Sequence, residues 1–193
     1  MNTVDFSVAV ERIRTDRYDP NPSKVRFHIP DPKENLQKGF NFFVPDAQYL
    51  PKYDLIAEWL DDNKGRGLIC MGNLGRGKTV ICTKIIPVLL NQYCRLIVNV
   101  VDAQELNSSI DNILQRHIIC VDDVGTENEY IKYGERRTPF AELVDQAEKK
   151  GKLLILTTNL TVSELANKYG ERTIDRLRAI TKIVLFRGES LRS

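Results

Sequence analysis

Eight consecutive residues, Gly72-Asn73-Leu74-Gly75-Arg76-Gly77-Lys78-Thr79, constrain this chain more than any other feature. They fit the pattern G-x-x-x-x-G-K-[ST], and each residue type has a physical reason. Glycines at 72, 75 and 77 permit left-handed or close-approach backbone, so that successive N–H groups can converge on phosphate oxygens. Lys78 supplies a point charge for the β and γ phosphates, the Thr79 hydroxyl is a ligand for Mg²⁺, and a helix starting there through Val80 presents its positive end to the anion. Such a loop works only between a buried strand and a helix. GLICM (67–71) leads in, and an apolar helical pattern from Lys78 to about Asn91 leads out.

That alternation continues along the chain. A helix with Leu55, Ile56, Trp59 and Leu60 on one face precedes the loop. After it come the strand patterns CRLIVNVV (94–101), HIICVDD (117–123), KLLILTTN (152–159) and KIVLF (182–186), separated by helical patterns near 103–115, 139–150 and 162–180. The strands are continuous apolar runs, which implies a sheet covered on both faces. An α/β, three-layer P-loop NTPase fold is therefore expected, with a parallel five-stranded sheet flanked by helices. Pro87 lies inside the helix after the loop and should kink it. Residues 15–39 hold Pro20, Pro22, Pro30 and Pro32 among Asp, Asn and Lys, so residues 1–39 are expected to form an irregular amino-terminal arm, and 40–193 the ATPase domain. His28 in that arm reads as a surface residue.

A second motif supplies carboxylates. The strand ending at Val121 is followed by Asp122 and Asp123, one to hold the Mg²⁺ shell and the other to polarise water. Should Asp123 not act as the base, Glu127 is the nearest other carboxylate.

Net charge is only +2, which does not announce a nucleic-acid partner, but its distribution is uneven. Residues 102–145 are net −6 and residues 149–193 net +6. This is either ion pairing across the fold or an acidic metal site beside an anion-seeking surface. Cys70, Cys82, Cys94 and Cys120 lie in or beside apolar runs without C-x-x-C spacing and read as buried, reduced thiols. No apolar run reaches membrane-spanning length, so no membrane partner and a cytoplasmic location are expected.

Taken in order, GNLGRGKT (72–79), IICVDDVGTE (118–127), KYGERRT (132–138), LLILTTNL (153–160), YGERTIDRLR (169–178) and FRGESLR (186–192) resemble the AAA+ ATPases of the DnaC/DnaI helicase-loader and IstB transposition-ATPase group. The resemblance runs from about Phe40 to the carboxyl terminus, without an evident C-terminal lid domain. It implies that Asn159 is the first sensor of the γ-phosphate or attacking water. It also implies that Arg176 is an arginine finger reaching a neighbouring subunit's ATP, that Arg172 stands one turn earlier on the same face, and that Arg192 is a second-sensor arginine. The group usually ends its acidic motif Asp-Glu. The shorter Asp123 implies slow hydrolysis without DNA or a partner, unless the backbone shifts to compensate.

The function implied is that of an ATP-dependent DNA-replication accessory ATPase, an ATP-driven homo-oligomer acting on single-stranded DNA and a replicative helicase. The alternative is an IstB-like, DNA-binding switch of transposition. Tyr130, Lys132, Tyr133, Arg136 and Arg137 mix aromatic and basic character suited to single strands.

Overall fold

Five of the apolar runs become one parallel sheet, and the polar residues that end them gather at its carboxyl edge. The computed structural model describes residues 3–15, 18–45, 48–72, 77–128, 130–132 and 135–186, with backbone alone at 130–132, 135 and 136. Asn73, Leu74, Gly75 and Arg76 of the glycine-rich loop, with Tyr133 and Arg192, lie outside the described residues, as do the side chains of Tyr130, Lys132 and Arg136.

The strands are β1 (Gly67–Gly72), β2 (Asn99–Asp102), β3 (Ile118–Asp122), β4 (Tyr130–Lys132), β5 (Glu135–Arg137), β6 (Leu153–Thr158) and β7 (Thr181–Phe186). The main sheet has the order β2-β3-β6-β1-β7, and all its neighbours are parallel. β4 and β5 pair only with each other, as an antiparallel hairpin. The helices are α1 (Phe6–Ile13), α2 (Pro32–Phe43), α3 (Asp54–Asp61), α4 (Lys78–Val80), α5 (Ile86–Cys94), α6 (Ala103–Ile113), α7 (Pro139–Lys150), α8 (Val162–Tyr169) and α9 (Glu171–Ile180).

Successive strand residues point to opposite faces, so each strand feeds two cores. Leu68, Cys70, Cys120 and Ile155 join Trp59 of α3 and Ile86 of α5 on one side. Ile69, Met71, Ile119 and Leu154 join Leu106, Leu143 and Leu177 of α6, α7 and α9 on the other. Each fully buried side chain of this size is worth about 1.5–3 kcal/mol, so these two layers, rather than the polar contacts above them, hold the sheet rigid. The four cysteines are free, three of them buried, and Cys82 and Cys70 lie in contact at 3.6 Å between sulfurs. On α3 the buried residues are Ile56, Ala57, Trp59 and Leu60, whereas Leu55 is 41% exposed. Among the described residues no helix is long and apolar enough to cross a membrane.

Two expectations need correction. The arm is not irregular throughout: α1 and most of α2 fall within residues 1–39. Pro32 stands at the first position of α2, where a missing N–H costs nothing, so proline there starts a helix instead of blocking one. Phe27, Ile29 and Leu36 are buried in the α3-side core. Asn63 fixes the arm by accepting from the Phe27 amide at 3.2 Å and donating to the Val25 carbonyl at 2.9 Å. His28, by contrast, is the surface residue expected, with its ring against Asp61.

The strand expected over 94–101 shrinks to β2 at the sheet edge. α5 runs on to Cys94 and is capped by Arg95 in the left-handed region (φ 57°), and Ile97 is left 79% exposed. Pro87 stands at the start of α5, just after a π turn over Ile81–Ile85 that joins α4 to α5 and in which the Ile86 amide reaches back to the Ile81 carbonyl. The wider turn accommodates the proline just after it.

Candidate functional site

At the carboxyl ends of adjacent β1, β6 and β3 the chain leaves Gly72, Thr157 to Asn159, and Asp122 with Asp123. In an open parallel sheet this is where ligands bind. Lys78, at the start of α4, is 5% exposed and lies over these ends. Its Nζ donates to the Gly72 carbonyl at 2.7 Å and to Asn159 Oδ1 at 3.0 Å. Burial lowers its pKa, opposed by the charges of Asp123 and Asp122. Gly77, immediately before it, sits at φ 84°, and a Cβ there would meet Tyr53 Oη and the Phe40 ring at 3.0–3.1 Å. The backbone turns here in a conformation and a space that glycine suits.

Asn159 links the cation to the acids: while its oxygen accepts from Lys78, its Nδ2 donates to Asp123 Oδ1 at 3.0 Å. Asp123 has φ 55°, the left-handed region that Asp and Asn enter more readily than other non-glycine residues. Thr79 Oγ1 donates to Asp122 Oδ1 at 3.1 Å, so the residues expected to share a cation already touch. Among the described residues no group of three or more His, Cys, Asp or Glu could hold a metal. A hydroxyl beside one carboxylate nevertheless fits Mg²⁺, which takes few protein ligands and fills its shell with water and phosphate oxygens.

Thr157 is a site residue that the motif pattern missed. Fully buried, its hydroxyl donates to Asp122 Oδ1 at 2.5 Å and accepts from the Asp123 amide at 2.8 Å, and so ties the Asp122 carboxylate and the Asp123 backbone to one side chain. The signal lay in the run LLILTT, where an apolar strand turns polar two residues before Asn159. Val80 packs its side chain on the core, so only its backbone could face a phosphate.

The arginines are not part of this cluster. Arg176 on α9 pairs with Asp145, and its Nε lies 3.1 Å from Glu148, both on α7. Arg172 is exposed in the first turn of α9. Of the DNA candidates, Arg137 grips Glu142 through two bonds, at 2.9 and 2.5 Å, and approaches Asp111 at 3.4 Å. Glu127 does not face the site either: it is 7% exposed, and its carboxylate is taken up by Tyr169 and the Gly125 amide. The alternative of Glu127 as base is therefore overturned. The opposite charges of the two halves meet in part as internal pairs, Arg176 with Asp145 and Lys168 with Glu127.

Residues 50–190 match the family model described as Novel STAND NTPase 3. No curated protein sequence matches the chain. Among solved structures, the DnaC helicase loader is similar over 89% of this chain and 95% of its own, at 16% identity and a TM-score of 0.55. DnaI is similar over 84% and 85%, at 18% identity and 0.53. AMPPCP-bound DnaA from Aquifex aeolicus is similar over 73% of this chain and 48% of its own, at 13% identity and 0.52. At these identities the likeness is one of fold alone, a parallel five-stranded sheet flanked by helices.

Proposed function

The chain belongs to the Novel STAND NTPase 3 family, and we propose that it is a cytoplasmic ATPase of the helicase-loader type, which binds Mg-ATP, hydrolyses it between subunits and works on single-stranded DNA with a replicative helicase. The observation that carries this reading is the single cluster of Lys78, Asn159, Asp123, Asp122 and Thr79 at the strand ends. In it Lys78 exchanges its carbonyl and amide partners for phosphate oxygens, while Asn159 stays within reach of both phosphate and water. Thr79 and Asp122 would hold Mg²⁺, which supplies charge neutralisation of the phosphate oxygens. Asp123, oriented by Asn159 and Thr157, accepts a hydrogen bond from the attacking water and so directs it. Arg176 of a neighbouring subunit supplies the remaining positive charge, after leaving its own Asp145 and Glu148.

The likeness in fold to the DnaC helicase loader and to DnaI supports the choice of partner. The segment of the β4–β5 hairpin supports the choice of nucleic acid, because an aromatic and basic sequence follows the acidic strand end within about a dozen residues. The test is ATP turnover with and without single-stranded DNA, followed by pull-down against a replicative helicase and a transposase. DNA-stimulated turnover with helicase capture supports the proposal, and capture of the transposase alone replaces it with the IstB-like reading. Absence of nucleotide binding overturns both.

A further inference from the structure

A buried carboxylate needs a reason, since an apolar pair of similar volume is often as stable or more so. Glu127 has no part in the proposed hydrolysis and is nevertheless 7% exposed with both carboxylate oxygens engaged. Its carboxylate accepts from the Tyr169 hydroxyl and from the Gly125 amide, the latter at 2.9 Å. Lys168 closes the same loop from above, its Nζ donating to the Gly125 carbonyl at 2.7 Å and to the Glu127 carbonyl at 2.8 Å. Burial first, and the bond to Glu127 second, push the Tyr169 phenol above its ordinary range, so it stays a donor.

The loop so gripped begins at Asp123. The Asp123 carbonyl accepts from Thr126 through both backbone (3.1 Å) and hydroxyl (2.9 Å), and the Val124 amide is bound to the Thr157 carbonyl at 2.8 Å. On the far side, Gln104 and Asn107 of α6 donate to the Thr126 and Asn128 carbonyls at 3.1 and 2.8 Å. At the other end of the clamp, Tyr169 is the last residue of α8, and α9 with Arg172 and Arg176 starts at Glu171. One carboxylate thus joins the loop that places Asp123 to the junction that places the arginines.

We propose that Glu127 is a positioning residue for nucleotide turnover: with Tyr169 and Lys168 it locks the Asp123–Asn128 loop to the end of α8, so that Asp123 and the start of α9 keep one fixed relation. This rests on Asp123 directing the attacking water. Its consequence is selective, because the clamp touches no group expected to contact ground-state nucleotide. Loosening it lowers kcat and leaves binding alone.

The test uses the full chain with Tyr169→Phe, Glu127→Gln, their double variant and Asp123→Asn, measuring steady-state ATP turnover, affinity for AMPPCP and the thermal midpoint. Tyr169→Phe keeps the ring and loses only the hydroxyl. It is expected to lower kcat about tenfold, the effect typical of supports one shell out, with AMPPCP affinity within about twofold of wild type. Glu127→Gln, which keeps one acceptor for Tyr169, falls between wild type and Tyr169→Phe. The double variant is little worse than Tyr169→Phe alone, since both remove one coupling. Unchanged kcat in Tyr169→Phe, or kcat and AMPPCP affinity falling together, overturns the clamp. If Asp123→Asn slows turnover in that same experiment, the hydrolysis assignment survives and the clamp fails alone. If Asp123→Asn is also without effect, both fail.

Discussion

The strand ends and the α9 face are both rich in charge, and they use it differently. At the strand ends Lys78, Asn159 and Asp123 form one bonded series of side chains and Thr79, Asp122 and Thr157 another, and the proposed function gives both the same ligand. On α9, Arg176 is turned onto Asp145 and Glu148 of its own α7, and Arg172 stands exposed. On the proposed function, a single chain holds its binding half in readiness while its arginine half is engaged elsewhere. Hydrolysis that used the arginine in trans would first have to draw it away from α7, and a neighbouring subunit's nucleotide would do so by offering a denser negative charge.

The largest effect expected is that of Lys78→Ala, which removes the only ammonium in the described cluster and should take binding of labelled ATP below detection while the fold, read by circular dichroism, persists. Binding as tight as wild type would break the assignment of the strand ends. Arg176→Ala should bind ATP normally and lose about 10³-fold or more in turnover, the range for a finger supplied in trans. Mixing it with Lys78→Ala should restore part of the activity, because one partner then brings an intact site and the other an intact arginine. Mixed oligomers without recovery would leave Arg176 as a tie between α9 and α7.

Asp123→Asn should retain binding and lose about 10²–10⁴-fold in turnover, the usual contribution of a positioned acid or base. Thr157→Val, nearly isosteric, deprives Asp122 of a donor and the part-buried Asp123 amide of its acceptor. It should cost about 1–3 kcal/mol of stability in a denaturant titration. Little change would mean that the two carboxylates are positioned by the strand alone.

The smallest effect sharpens the comparison most. Asp145→Asn should change stability at neutral pH by no more than about 1 kcal/mol, because the pair with Arg176 is partly exposed. Lys149 first, and Arg176 after it, hold the Asp145 carboxyl below its usual range. Its contribution is thus present above the ordinary carboxylate value of about 3.9 and is lost as pH falls through the lowered one. The variant should lack that part of the acid destabilisation. If α7 does hold the finger back, the variant should also reach half-maximal turnover at a protein concentration lower by a few fold, since an equilibrium shifts by its differential binding.

What could be read in the residues and what could not divides along the range of the interactions. The glycine-rich loop lies within eight consecutive positions, and buried strands show as unbroken apolar runs, so the site's core and the parallel sheet followed from local pattern. The extent of β2 did not, because whether Leu96 to Val98 pair as a strand depends on a neighbour, and α5 ran on to Cys94 instead. Nor did the order of the strands, which puts β6 between β1 and β3 and so carries Thr157 to Asp122 and Asn159 to Lys78. The partner of Arg176 lies 31 positions away, that of Glu127 42. No periodicity reaches that far along a chain, and a hydrogen bond acts over about 3 Å. Which donors and acceptors meet is therefore settled by packing of the two apolar layers beneath them.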